Sequence, residues 1–281
     1  MSEWFHNGEQ VVAVPIDDRA FQYGDGLFET VAIRHGEPRL WGYHLERLAR
    51  GCEVLRIDAP DTVALRIWLD TALRDASADS AFCVAKIIVS SGVTQRGYGR
   101  PVPAAPSVHI GIFPAAPLSA ESYRDGVETI RCNTTLAPGS VTAGIKSLNR
   151  VEQVLARSEC LAAGAFEGLT LDAEGRLICG TMSNVFLVTR SSISTPSLSR
   201  CGVAGVMRRH VMDTLAQAGQ HVAERDVTMR DMHRVDEVFL TNSQFGVLPV
   251  RRCDDQLWTV GAATRDVMEL LSENGIAECR L

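Results

Sequence analysis

The sequence predicts a mixed α/β fold, on three observations. Short apolar runs such as Phe82 to Ser91 and Val108 to Phe113 read as strands with both faces covered. Trp41 to Ile57, with Leu45, Leu48, Cys52 and Leu55, and Val63 to Leu73 place apolar residues at helical spacing instead. The length, 281 residues, is enough for a sizeable core in one large domain or two smaller ones.

A break falls at Phe113 to Ser119, where Pro114 and Pro117 cannot continue a ladder or a helix. The expected organisation is an N-terminal α/β domain over residues 1–116, a linker over 117–124 and a C-terminal domain over 125–281. In the N-terminal part, Val11 to Val14 and Phe28 to Arg34 read as strands around the Gly24-Asp25-Gly26 turn. In the C-terminal part, Val127 to Cys132, Phe166 to Leu171, Leu177 to Cys179, Asn184 to Val188 and Val235 to Leu240 read as strands. The turn Asp172 to Gly175 makes a hairpin of two of them. Ser147 to Ala163 reads as a helix with Leu148, Val151, Val154, Leu155 and Leu161 apolar, and Ala262 to Ser272 as a closing one.

Composition removes several function classes. A net charge of −6 gives no bulk attraction to nucleic acid or anionic membrane. No window approaches 18 consecutive apolar residues, and the N-terminus lacks a hydrophobic signal region. Eight dispersed cysteines without a CxxC pair fit neither a zinc site nor a disulfide framework, so no metal is expected and free thiols in a reducing cytoplasm are.

The candidate chemistry starts from lysine, because Lys86 and Lys146 are the only two in the chain. Lys86 lies in an apolar run that reads as a buried strand. Lys146 follows Gly144 and opens a helical segment, a place from which an amine can approach a ligand. Cys201 to Arg209 is a glycine-spaced loop entering a helix, where backbone N–H groups form an anion site; it lacks the Walker lysine and the GxGxxG spacing. Arg96-Gly97-Tyr98 lies in a glycine-rich loop suited to a carboxylate. Thr241-Asn242-Ser243 closes a strand with three hydrogen-bonding side chains. An amine, an anion site and a carboxylate loop together suggest a phosphorylated aldehyde cofactor, pyridoxal phosphate.

The motifs Asp18-Arg19-Ala20-x-Gln22-Tyr23-Gly24-Asp25-Gly26-Leu27-Phe28-Glu29-Thr30, His44-Leu45-x-Arg47-Leu48, Arg96-Gly97-Tyr98, Gly144-Ile145-Lys146-Ser147-Leu148-Asn149-Arg150-x-Glu152-Gln153, Ser183-Asn184-x-Phe186 and Gly205-Val206-Met207-Arg208 occur in that order. Over nearly the whole chain this set resembles the fold-type IV pyridoxal-phosphate enzymes: branched-chain aminotransferases, D-amino-acid aminotransferases and aminodeoxychorismate lyases. The Arg-Gly-Tyr and Lys-x-Leu-Asn-Arg-x-Glu-Gln segments look most like the lyases, which make 4-aminobenzoate and pyruvate for folate synthesis. The resemblance implies a small N-terminal α/β domain, a larger C-terminal domain with a barrel-like sheet, and a homodimer. It implies that Lys146 bonds the cofactor and moves the substrate proton. Arg47, Val206, Met207 and Ser243 would hold the cofactor phosphate, with Asn184 and Asn242 also on the cofactor. Arg96, Tyr98 and Phe28 would meet the substrate; Phe28 stands where some D-amino-acid aminotransferases have tyrosine.

One position departs from the family. A glutamate five residues before the Asn of Ser-Asn-x-Phe ordinarily faces the pyridine nitrogen, and here that residue is Cys179. A thiol cannot supply the carboxylate's charge, which transamination needs more than β-elimination does. The expectation is a lyase, with a D-amino-acid or branched-chain aminotransferase as the alternative, and a non-catalytic cofactor-binding member as a further one.

Overall fold

The computed structural model describes residues 3–78, 81–100, 105–139, 141–190 and 192–280. The chain forms two compact units, residues 1–116 with 145–149, and residues 117–144 with 150–281.

The first unit contains β1 (Glu3–His6), β2 (Glu9–Val11), α1 (Arg19–Tyr23), β3 (Gly26–Arg34), β4 (Glu37–Pro38), α2 (Trp41–Leu55), α3 (Thr62–Asp75), β5 (Phe82–Ser90) and β6 (Ser107–Pro114). Its strands pair in the order β2-β1-β6-β5-β3-β4, every neighbour antiparallel. Leu27, Val31 and Ile33 of β3 and Cys83, Ala85, Ile87 and Val89 of β5 share one face, buried in a core with Leu48 and Cys52 of α2 and Leu65 and Leu69 of α3. Burying each large aliphatic side chain contributes roughly 1.5–3 kcal/mol. The opposite face of the β3–β5 pair carries Phe28, Thr30, Lys86 and Ile88, all partly exposed. The expectation that Phe82 to Ser91 is covered on both sides therefore fails: β5 alternates between a buried and a half-open face, and Lys86 belongs to the open one. The strand expected over Val11 to Val14 is also displaced. It ends at Val11, and Val12 and Val14 are exposed.

In the second unit follow α4 (Ala120–Asp125), β7 (Val127–Leu136), α5 (Val151–Ala162), β8 (Glu167–Asp172), β9 (Arg176–Gly180), β10 (Asn184–Thr189), β11 (Ser192–Pro196), α6 (Val206–Gln217), β12 (Val222–Arg225), β13 (Val227–Thr228), α7 (Met229–Met232), β14 (Glu237–Asn242), β15 (Gly246–Cys253), β16 (Gln256–Leu257) and α8 (Ala262–Glu273). Nine of these strands form one path, β12-β11-β10-β14-β15-β7-β8-β9-β13, with β16 beside β15. The path's end strands, β12 and β13, are separated in the chain by Asp226 alone, so the sheet curls into a nearly closed barrel. Stacked Phe186 and Phe239, both fully buried, occupy directly opposed positions on β10 and β14.

Two departures concern the stretch around Lys146. The helix expected from Ser147 begins only at Val151, because Leu148 N–H donates to Gly26 O at 3.0 Å and Ser147 bridges Leu27. Those backbone groups are spent on β3 and cannot start a helix. The apolar stripe of α5 also points outward: Val151, Val154, Leu155 and Leu161 are exposed, while Ala156 and Cys160 are the buried positions. Segment 117–124 contains the start of α4, whose N-cap Ser119 accepts from Ser122 N–H at 3.4 Å.

Candidate active site

Lys146 is fixed through its backbone. Its carbonyl accepts from Phe28 N–H at 2.9 Å, its neighbours Ile145 and Ser147 are buried, and Asn149 Nδ2 donates to Gly24 O at 3.1 Å. The segment thus lies along the first residues of β3 and presents the side chain to the sheet's half-open face. There Lys146 Nζ stands 4.2 Å from the centre of the Phe28 ring, a contact that stabilises an ammonium by roughly 0.5–1 kcal/mol or more as water is excluded.

One residue beyond Phe28, Glu29 projects to the opposite, buried face of β3 and is 2% exposed. It accepts from Arg47 Nε at 2.8 Å, from Arg47 Nη2 and from His44 Nδ1 at 2.6 Å. Burial alone pushes the Glu29 carboxyl up, but the charge of Arg47, then His44, hold it at about 2. Burial pushes His44 down, against the pull of Glu29, and so favours a neutral ring. The sequence pointed to Arg47 and missed its partner, although three apart on a helix already put His44 and Arg47 side by side. Arg47 is therefore locked in a two-pronged grip, a rigid guanidinium rather than a mobile one.

Arg96 and Tyr98 stand apart on an exposed loop, Tyr98 at 87% exposure. Buried Arg19 shapes that loop, donating to Gly97 O at 3.0 Å, Tyr98 O at 3.0 Å, Gly99 O at 3.4 Å and Thr94 Oγ1 at 3.1 Å. Asp25 bridges Arg19 and Arg100 and accepts from Ser91 Oγ. Burial would raise its pKa, yet hydrogen bonds from Arg100, Arg19 and Ser91 depress it to about 2.

The remaining sequence-derived residues lie in the second unit. Two residues before Lys146, Gly144 donates to Gly202 O at 3.0 Å and accepts from Ala204 N–H at 2.9 Å, with φ near +77° that only glycine adopts without strain. This ties Gly144 to the loop entering α6. At the helix start Gly205 provides no side-chain cap, so the first N–H groups, those of Val206 and Met207 among them, have no partner within the helix. A Cβ at Gly205 would sit 2.1 Å from Asn184 Oδ1, while Asn184 Nδ2 donates to Val203 O at 2.9 Å. Directly across the β10–β14 ladder from Asn184 is Thr241, whose buried hydroxyl has no hydrogen-bond partner among the described residues. Asn242 Nδ2 donates to Met182 O, Asn242 Oδ1 accepts from Gln244 N–H at 2.7 Å, and Ser243 follows in the turn.

Cys179, on β9, is 5% exposed and packs with Leu136, Ile178, Leu198 and Cys201. Its thiol is pushed up to about 11 by burial, more than the Thr170 hydroxyl at 3.6 Å brings it down. The thiol is neutral over the physiological range. The buried carboxylate on the preceding, neighbouring strand is engaged elsewhere. Glu167 is consumed by Thr181 N–H at 3.0 Å, Met182 N–H at 3.1 Å, Ser183 Oγ at 2.7 Å and Gly168 N–H at 2.9 Å. Glu167 is thus the residue that shapes the turn between Cys179 and Asn184, and only the fold reveals it.

A profile of the amino-transferase class IV family matches residues 26–253. The chain belongs to that family. Among class IV relatives, the aminodeoxychorismate lyase of Vibrio harveyi is 38% identical over 247 residues, 87% of this chain and 89% of that one. The crystal structure of 4-amino-4-deoxychorismate lyase from Pseudomonas aeruginosa superposes with a TM-score of 0.90 at 41% identity, covering 97% of this chain and 99% of that one. The branched-chain amino acid aminotransferase of Escherichia coli shares the fold, with a TM-score of 0.83 at 23% identity, covering 98% of this chain and 95% of that one.

The class IV site implies pyridoxal phosphate, and the residues present fit its phosphate. An uncapped helix start offers N–H donors, and the Thr241 hydroxyl, left without a partner, lies across from the asparagine that contacts the helix cap. An orphaned buried hydroxyl costs roughly 1–3 kcal/mol unless a ligand satisfies it. The sequence marked Thr241-Asn242-Ser243 together but assigned only Asn242 and Ser243 to the cofactor, because three adjacent polar residues do not show which one the strand buries.

Proposed function

We propose that this chain is an aminodeoxychorismate lyase, dependent on pyridoxal phosphate, that converts 4-amino-4-deoxychorismate to 4-aminobenzoate and pyruvate for folate synthesis. The observation that carries the reading is the level of likeness. Two lyases match at 38% and 41% identity over 87% and 97% of the chain, while a third lyase and a putative branched-chain-amino-acid aminotransferase both match at 28% and a D-alanine aminotransferase at 26%. Cys179 supports the same side.

When bound, pyridoxal phosphate supplies an aldehyde for the substrate amine and a ring that withdraws electrons from the neighbouring carbon. The residues do the rest. Lys146 would carry the cofactor through its Nζ, and the same amine, once free, would take the proton from the amine-bearing ring carbon. The enolpyruvyl group leaves with the electron pair of its C–O bond and is protonated to pyruvate, and the ring becomes aromatic. Val206 and Met207 N–H groups, with the Thr241 and Ser243 hydroxyls, would hold the phosphate; Asn184 positions the helix cap against Val203. Asn242 fixes the turn that carries Ser243. Cys179 would stand beside the cofactor ring as a neutral thiol. Arg96 and Tyr98 bind a substrate carboxylate, and Phe28 shields the Lys146 amine.

The working form is a homodimer in the cytoplasm. The exposed apolar residues of α5, Val151, Val154, Leu155 and Leu161, support a second copy. Eight buried free cysteines support a reducing compartment. Incubation with aminodeoxychorismate, with pyruvate and 4-aminobenzoate measured in parallel, tests the activity. Equimolar release is expected; amino transfer to a keto acid without pyruvate release contradicts the reading.

A further inference from the structure

Lys86 is the second lysine amine beside the Phe28 ring. It lies at the centre of β5, opposite Thr30 on β3 and Gly111 on β6, on the half-open face that also carries Phe28. Its Nζ stands 5.4 Å from the centre of the same Phe28 ring that Lys146 Nζ approaches to 4.2 Å. The chain's only two ammonium side chains therefore share one aromatic neighbour, and their separation cannot exceed the sum of those distances.

Among the described residues no carboxylate pairs with Lys86; the Phe28 ring is the neighbour of its amine. The acidic residue nearest in sequence on the facing strand, Glu29, points to the other face and is held by Arg47 and His44. A half-buried cation on a sheet of Val, Ile and Phe residues is costly without an anion. Methionine or leucine would pack the same strand position without that cost. The position thus carries a charge that the fold leaves uncompensated.

The proposed substrate brings two carboxylates: one on the enolpyruvyl side chain and one on the ring, para to the amine-bearing carbon. We propose that Lys86 binds the ring carboxylate. This rests on the lyase reading. With Lys146 acting at the amine-bearing carbon, the ring lies over Phe28 and its far end reaches the second ammonium. The charge-assisted hydrogen bond fixes how the ring is turned relative to Lys146. The same contact discriminates against amino acids, whose carboxylate sits on the amine-bearing carbon itself and cannot span the two lysines.

The test uses holoenzyme and two variants, Lys86→Met and Lys86→Arg, with 4-aminobenzoate and aniline as probes of equilibrium binding. Lys86→Met is expected to weaken 4-aminobenzoate by roughly tenfold to a hundredfold and to leave aniline binding and the cofactor absorption band unchanged. KM for aminodeoxychorismate rises by a similar factor with kcat altered less, and Lys86→Arg restores part of both. Unchanged affinity for 4-aminobenzoate in a folded Lys86→Met enzyme, or equal losses for 4-aminobenzoate and aniline, overturns the proposal. Absence of pyruvate release from the unsubstituted enzyme would instead overturn the lyase reading, and the binding comparison still scores Lys86.

Discussion

Two buried acid–base positions in this protein are built in opposite ways. At Glu29 the first unit buries a carboxylate and surrounds it with Arg47 and His44, so that the acid stays ionised down to about pH 2. At Cys179 the second unit buries a thiol among Leu136, Ile178, Leu198 and Cys201 and keeps it protonated up to about pH 11. The first arrangement commits charge to rigidity: the carboxylate orients an arginine. The second withholds charge where the family ordinarily places it. The contrast teaches that the departure at position 179 is not a general loss of buried electrostatics. This chain pairs acids well at buried Glu29 and Glu167 and at half-buried Asp25, and it has none at 179.

Removing the amine should have the largest effect. Lys146→Ala is expected to lower turnover by about 10³-fold or more and to abolish the cofactor absorption band, while the melting temperature changes little. Retained turnover would show that the base lies elsewhere.

Next comes Glu29→Gln, which strikes the charged half of the contrast. The folded pKa of Glu29 lies below its ordinary value of 4.5, so its stabilisation is complete above pH 4.5 and drains away as pH falls toward 2. The shift corresponds to on the order of 3 kcal/mol. The variant should lose stability of that order at pH 7 and much of the acid limb of the denaturation profile. A profile that keeps its full acid limb would mean that other carboxylates dominate.

A smaller change is expected at the phosphate. Thr241→Val removes the orphaned hydroxyl; pyridoxal phosphate affinity should fall by roughly five- to tenfold while the apo-protein is as stable as before or more so. Equal cofactor affinity would take Thr241 out of the phosphate site. Leu155→Glu probes the α5 stripe, and sedimentation should show monomer at concentrations where the unsubstituted chain is dimeric.

How much of this was legible in the sequence depends on what each inference needed. Period and turn chemistry gave most elements, including the Asp172 to Gly175 hairpin and the helices at Trp41 and Ala262. Motif order singled out Lys146, Arg47, Cys179 and the α6 start as candidates. Pairing was not legible. Leu148 counted as the first apolar residue of a helix because nothing local shows that its N–H is claimed by Gly26. The α5 stripe read as core for the same reason: periodicity reveals an apolar face and not what covers it. Lys86 read as buried because four apolar neighbours hide the alternation that puts it on the open face. Thr241, Glu29 and Glu167 acquire their meaning from residues 14 or more positions away, where the fold brings them together.

The central claim is that a neutral thiol at position 179 favours elimination over amino transfer. On this reading a carboxylate at position 179 would keep the pyridine nitrogen protonated, which transamination needs and which a leaving group with its own electron demand needs less. The direct measurement is the ratio of pyruvate release from aminodeoxychorismate to amino transfer from D-alanine or a branched-chain amino acid, in the unsubstituted enzyme and in Cys179→Glu. The ratio is expected to be high in the former and to fall by at least about tenfold in the latter, mainly through faster transfer. Fast transfer by the unsubstituted enzyme, or a ratio that Cys179→Glu leaves unmoved, would contradict the claim.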